Sequence, residues 1–117
     1  AAAAAARHSQ AALAEGWLTD LPAALDQAER EGRPLLIDFW ASWCKNCMAM
    51  EATTLKQPEV RQRLQAFVRL KYQAEHPDQP PARDVLAAFK VMGLPTYVIL
   101  APPAPAPGPA GIVPPPP

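Results

Sequence analysis

Leu35-Leu36-Ile37-Asp38-Phe39-Trp40-Ala41 is an unbroken apolar run with one carboxylate inside it, bounded by Pro34 and Ser42. A short continuous run, unlike an alternating one, suits a strand covered on both faces, as in a parallel or mixed sheet. The flanking segments provide candidates for that cover. Thr19 and Asp20 can cap a helix that has Pro22 in its first turn, carries Leu21, Ala24, Leu25 and Ala28 on one face, and closes at Gly32 and Pro34.

After the run, Cys44 to Gln57 is mostly helix-compatible. Pro58 forces a kink or restart, and Val60, Leu64 and Phe67 continue an apolar face, so a long broken helix is expected. Phe67-Val68-Arg69-Leu70-Lys71-Tyr72 alternates with period two and reads as a second strand, followed by a turn-forming loop from Glu75 to Pro80. Ala82, Val85, Leu86 and Phe89 share a helical face that ends at Gly93, and Thr96 to Leu100 reads as a third strand. Helices and strands therefore alternate, which argues for an α/β layer fold with right-handed crossovers.

Nearly all large apolar side chains lie between Trp17 and Leu100, and a segment of that size can just bury a core of its own. Residues 1–16 form an Ala-rich lead without a sustained apolar stripe and are expected to be frayed or disordered. Nine of the 16 prolines fall between Pro102 and Pro117, so residues 101–117 read as a Pro-rich, disordered tail. Eleven basic and eleven acidic residues, interspersed, leave no basic stripe for nucleic acid and no polybasic patch for an anionic membrane. No stretch approaches the roughly 18 to 20 consecutive apolar residues that span a bilayer, so this segment is expected to be soluble, with no direct membrane insertion.

The only two cysteines form Cys44-Lys45-Asn46-Cys47, where the buried strand gives way to a helix. Unpaired N–H groups at a helix start favour a thiolate, so Cys44 is expected to be the exposed, acidified thiol and Cys47, one turn on, the resolving one. Half of a zinc site is the alternative, but there is no second cysteine pair, and His8 and His76 lack ligand spacing. Asp38 lies six residues before Cys44, and burying its carboxylate raises its proton affinity, so it could accept the Cys47 proton; a water-satisfied core aspartate is the plainer reading.

Cys44, Cys47 and Glu51 stand at i, i+3 and i+7, which places a carboxylate one turn beyond the second sulfur, although an exposed helical glutamate is common. Two acids near the thiols oppose thiolate formation and bias the pair toward electron donation. Trp40 is assigned to the core and Trp43 to the rim. Met48, Met50 and Met92 are assigned to packing, and the isomer of the Leu94-Pro95 bond is left open by spacing.

The run from Ile37 to Cys47, with Gly93-Leu94-Pro95-Thr96 far downstream, resembles the thioredoxin superfamily over roughly residues 17–100. Glu51, the helix before the first strand, Gln57-Pro58-Glu59-Val60 and Leu94-Pro95-Thr96 resemble the C-terminal domain of DsbD-type thiol:disulfide interchange proteins. The resemblance implies a three-layer fold around a central mixed sheet. It also implies a periplasmic protein-disulfide reductase that takes electrons from a membrane-embedded donor and passes them to thioredoxin-like partners, including those that serve disulfide isomerisation and cytochrome c biogenesis. No organic cofactor is implied beyond the redox-active Cys44/Cys47 pair.

By the same resemblance Cys44 attacks, Cys47 resolves, Asp38 and Glu51 tune the pair, and Pro95 shapes a docking groove in its cis form. Trp43, Lys45, Asn46 and Leu94 are the other expected docking residues. Lys45-Asn46 between the cysteines and Met48 after them depart from cytoplasmic thioredoxins, which usually carry Gly-Pro and Lys at those places. The superfamily also adds a strand and a final helix that residues 101–117 cannot supply, so the fold is expected to be truncated after the strand that follows Pro95. A thiol oxidase or isomerase of the same fold, or a soft-metal (copper) binding module using the two thiols, are the rival readings.

Overall fold

The apolar run forms the middle strand β1 (Leu35–Trp40), and all six of its residues are buried. A computed structural model describes residues 2–102. β1 pairs in parallel with β2 (Val68–Gln73) and antiparallel with β3 (Thr96–Leu100), giving a mixed sheet of order β2-β1-β3.

Because strand side chains alternate, β1 divides its residues between two layers. Leu35, Ile37 and Phe39 pack with Ala24 and Ala28 of α2 (Leu21–Glu31) and with Ala82 and Leu86 of α5 (Ala82–Ala88). On the other face, Leu36 packs with Trp17 and with Ala12 of α1 (Ala2–Ala14), and Trp40 packs with Cys44 and Cys47. Asp38 belongs to this second face, the one that carries the cysteines. The expected three-layer arrangement around a mixed sheet is therefore present.

Cap chemistry sets the ends of α2. Asp20 accepts the Ala23 N–H at 2.9 Å, Pro22 lies in the first turn, and Gly32 ends the helix at φ 62°, a left-handed conformation that a glycine adopts without a Cβ clash. Asp20→Ala is expected to lower stability by about 1 kcal/mol, read as a shift in the urea midpoint at unchanged slope. Leu25, expected on the buried face, is 41% exposed. The small Ala24 and Ala28 bring α2 close to the sheet and leave Leu25 at the edge of the contact.

The long helix breaks as its proline requires, into α3 (Lys45–Ala52), a 3-10 turn at Thr54–Lys56, and α4 (Pro58–Leu64), which begins on Pro58. The lead departs from expectation, because residues 2–14 form α1 with Ala5 and Ala12 buried. Alanines make no stripe of large side chains, yet their small size lets a helix lie close against a sheet. Here Trp17 and Leu36 supply the bulk around Ala12.

Among the described residues no helix or strand follows β3, in line with the expectation that the fold ends after the strand that follows Pro95. Ile99, opposite Leu36 on the cysteine face, is 60% exposed, while Val98 and Leu100 pack toward the core on the other face. The tail expectation covers residues 101–117, of which 103–117 lie outside the described residues. Among the described residues, no helix is long and apolar enough to cross a membrane.

Candidate active site

β1 ends at Trp40, a tight turn follows, and Cys44 becomes the N-cap of α3. Its Sγ accepts the Cys47 backbone N–H at 3.1 Å, and the two sulfurs are joined as a disulfide. An N-cap sulfur that already receives a backbone N–H is placed where a thiolate gains from the unpaired donors of the first helical turn. Contrary to expectation, Cys44 is not exposed: it is 6% accessible and Cys47 4%. The bonded sulfurs pack in a cluster with Trp40 and Ala41, flanked by Met48 and Leu94. Lys45 and Asn46, between the cysteines, are exposed.

Asp38 is buried, and its partner is a residue for which sequence reasoning had no role: Lys71 Nζ lies 2.6 Å from Asp38 Oδ2, and both side chains are almost fully enclosed. Burial pushes the Asp38 carboxyl above its ordinary value. Lys71 pulls against that rise, and the charge of Glu51 adds to it. Lys71 sits directly opposite Asp38 in the β1/β2 ladder. The alternation of β2 placed Arg69 and Lys71 on one face, but the register that joins Lys71 to Asp38 is not written in either strand alone.

Glu51 on α3 is partly enclosed, and His8 of α1 brings its Nδ1 within 3.5 Å of Glu51 Oε2. The His8 ring meets Trp40 edge-on at 5.7 Å between centroids, and the Trp40 indole N–H is buried without a partner. Tyr97, opposite Asp38 on β3, has its hydroxyl pushed up to about 12 by burial and by the charges of Asp38 and Glu51. The structure thus gathers Asp38, Glu51 and the cystine on one face of the sheet. It adds Lys71, His8 and Tyr97, none of which carries a motif signal.

Trp40 is core and Trp43 rim, as expected, at 3% and 57% exposure. Glu75 holds the turn between them: its carboxylate accepts the Ser42 N–H and hydroxyl, each at 2.6 Å, and its backbone carbonyl accepts the Trp43 indole N–H at 2.9 Å. The Leu94-Pro95 peptide is cis, which decides the isomer that spacing left open. Leu94 packs against both the main core and the cystine cluster. A groove of about 420 Å³ runs between Trp43 and Leu94, lined also by Pro77, Leu86, Val91 and Met92. Met92, assigned to packing from its spacing, is instead 96% exposed on the lip of this groove, because it lies past the end of α5, where no neighbouring layer covers it.

Comparison with known proteins agrees with this geometry. A thioredoxin-like family model matches residues 16–102. Thiol:disulfide interchange protein DsbD 1 of Pseudomonas aeruginosa is 34% identical over 82 residues, which cover 70% of this chain and 14% of that protein. The Vibrio cholerae DsbD is 35% identical over 79 residues, covering 68% of this chain and 13% of that protein. Among solved structures, the oxidised C-terminal domain of Neisseria meningitidis DsbD aligns with TM-score 0.60 and 29% identity, covering 73% of this chain and 77% of that one. A thioredoxin from Thermus thermophilus aligns with TM-score 0.65 and 30% identity, covering 75% of this chain and 66% of that one. The chain therefore spans a small part of the curated relatives' length and most of the DsbD C-terminal domain.

Proposed function

Since the chain belongs to the thioredoxin-like family, we propose that it is a thiol:disulfide oxidoreductase domain working as a reductase, with two electrons passing from the Cys44/Cys47 dithiol to the disulfide of a partner protein. The observation that carries this reading is the cystine at the start of α3, with the Cys44 sulfur receiving the Cys47 N–H on the sheet face that holds Asp38.

In the reaction, the Cys44 thiolate attacks one sulfur of the partner disulfide. The partner S–S bond breaks, a Cys44–partner disulfide forms, and the departing partner thiolate takes a proton. Cys47 then gives its proton to Asp38 and attacks Cys44 Sγ, which releases the second partner sulfur and forms the Cys44–Cys47 disulfide. The rise that burial imposes on the Asp38 carboxyl makes it a better proton acceptor for a thiol.

The groove beside Leu94 and cis-Pro95, with Trp43 on its rim and Lys45 and Asn46 exposed at the helix start, offers an extended partner segment an apolar floor close to the cystine. Similarity to DsbD supports a periplasmic setting, a membrane-embedded dithiol as electron donor, and thioredoxin-like acceptors, including those of cytochrome c biogenesis. No organic cofactor takes part in this scheme.

A thiol oxidase or isomerase is the second reading, and one observation favours it: both acids have a basic partner, Lys71 for Asp38 and His8 for Glu51, which offsets the charge that would make the pair reducing. The reduction potential separates the two. Equilibration in defined thiol buffers, with the reduced fraction read by alkylation and mass, is expected to give a value below about −200 mV; a value near −120 mV, roughly that of a strong periplasmic oxidant, would overturn the donor assignment. Failure to form an intramolecular disulfide would point instead to soft-metal binding.

A further inference from the structure

His8 is held at the dithiol face by two contacts from different layers. Its ring rests edge-on against Trp40 of β1, and its Nδ1 faces Glu51 Oε2 of α3 at 3.5 Å. The helix that carries it is docked by the buried Ala12 against Trp17 and Leu36, and Ser9, the next residue, lies 3.5 Å from Gln73 of β2. The titratable groups around this point are Glu51 on α3, Asp38 on β1, Lys71 paired with Asp38 on β2, and Tyr97 on β3; Arg7, beside His8 on α1, is exposed.

We propose that His8 is a positioning residue of the dithiol site: it holds Glu51 and, when its ring is charged, offsets the field that Glu51 exerts on Asp38. This rests on the reading of Asp38 as the acceptor of the Cys47 proton. Glu51 favours the protonated form of Asp38 through space, so anything that neutralises Glu51 makes Asp38 easier to ionise. α1 thus brings a basic side chain to an acid that motif spacing places beside the cysteines. The chemistry at sulfur is unchanged, and His8 exchanges no electrons. Its effect is on where the Cys47 proton goes and at what pH.

The test follows the Asp38 carboxyl carbon by NMR as a function of pH in the oxidised protein, with the resonance assigned by Asp38→Asn. His8→Gln is expected to raise the Asp38 titration midpoint by about half a pH unit, about threefold in proton affinity, because the offsetting charge is gone. His8→Phe keeps a ring against Trp40 and is expected to give the same rise. Glu51→Gln is expected to lower the midpoint.

An unchanged midpoint in His8→Gln overturns the proposal. So does a shift that appears in His8→Gln but not in His8→Phe, which would mean packing alone. Because the readout is a carboxyl titration, it stands whether or not the protein reduces disulfides. That activity is judged separately, by the cysteine variants.

Discussion

Cys44→Ser is expected to abolish the reduction of insulin disulfides, and Cys47→Ser to retain the first half of the reaction while accumulating a mixed disulfide with the substrate. The asymmetry follows from the cap geometry. Cys44 is the N-cap residue, and its sulfur already receives the Cys47 N–H, so a negative charge there meets donors that helix formation leaves unpaired. A serine hydroxyl at the same place ionises too weakly to attack a disulfide, and the rate falls to that of the uncatalysed reaction.

Cys47 lies inside α3 and away from the cap position, so it lacks the unpaired donors that favour Cys44 as the attacking group. Without its thiol the Cys44–partner disulfide has no internal route to release. The measurements are insulin turbidity for turnover and non-reducing mass analysis for the trapped adduct. Full activity in both variants would remove the dithiol mechanism.

Lys71→Met is expected to cost at most about 4 kcal/mol of stability at pH 7, a large share of what a domain of this size has. The substitution leaves Asp38 buried without the cation that lies 2.6 Å from it. The carboxyl then remains protonated in the folded state while ionising freely in the unfolded chain. The penalty is bounded by the distance between pH 7 and the unfolded value near 4, at about 1.4 kcal/mol per pH unit, less the share that the parent already carries because its own Asp38 carboxyl is raised.

The sign of the pH dependence is fixed by that difference. With the folded value raised, the native state binds the extra proton, so stability is retained below about pH 4 and falls as pH rises toward the folded value. Urea midpoints at pH 4 and pH 7 are therefore expected to diverge in Lys71→Met much more than in the parent. The double variant Asp38→Asn, Lys71→Met removes both charges, and its stability is expected to return near the parent value or exceed it at pH 7. A Lys71→Met protein with the parent's pH dependence would show that Lys71 does not hold the Asp38 charge.

Much of the site was legible because its signals are local. The uninterrupted apolar run from Leu35 to Ala41 required a strand with cover on both faces, and β1 has it. Asp20, Pro22 and Gly32 placed the ends of α2 through cap geometry, and Pro58 placed the break between α3 and α4. The spacing of Cys44, Cys47 and Glu51 on one helical stripe needed only the pitch of α3. Two departures share one cause. The Ala-rich lead and Met92 are read from the hydrophobicity of their own neighbourhood, whereas the burial of Ala12 and the exposure of Met92 are set by segments distant in the chain.

By itself, then, the sequence determined the order of elements, the central strand, the dithiol at a helix start, and an acid within that strand, since each follows from hydrogen bonding or periodicity over a few residues. Packing between distant segments fixed the rest: Lys71 faces Asp38 across a strand ladder, α1 brings His8 to Glu51, Cys44 is buried, and the Leu94-Pro95 peptide is cis. These depend on strand register and on which helix covers which face. Both are fixed by the simultaneous packing of layers far apart along the chain, and the charges that set the chemistry of Asp38 come from that packing.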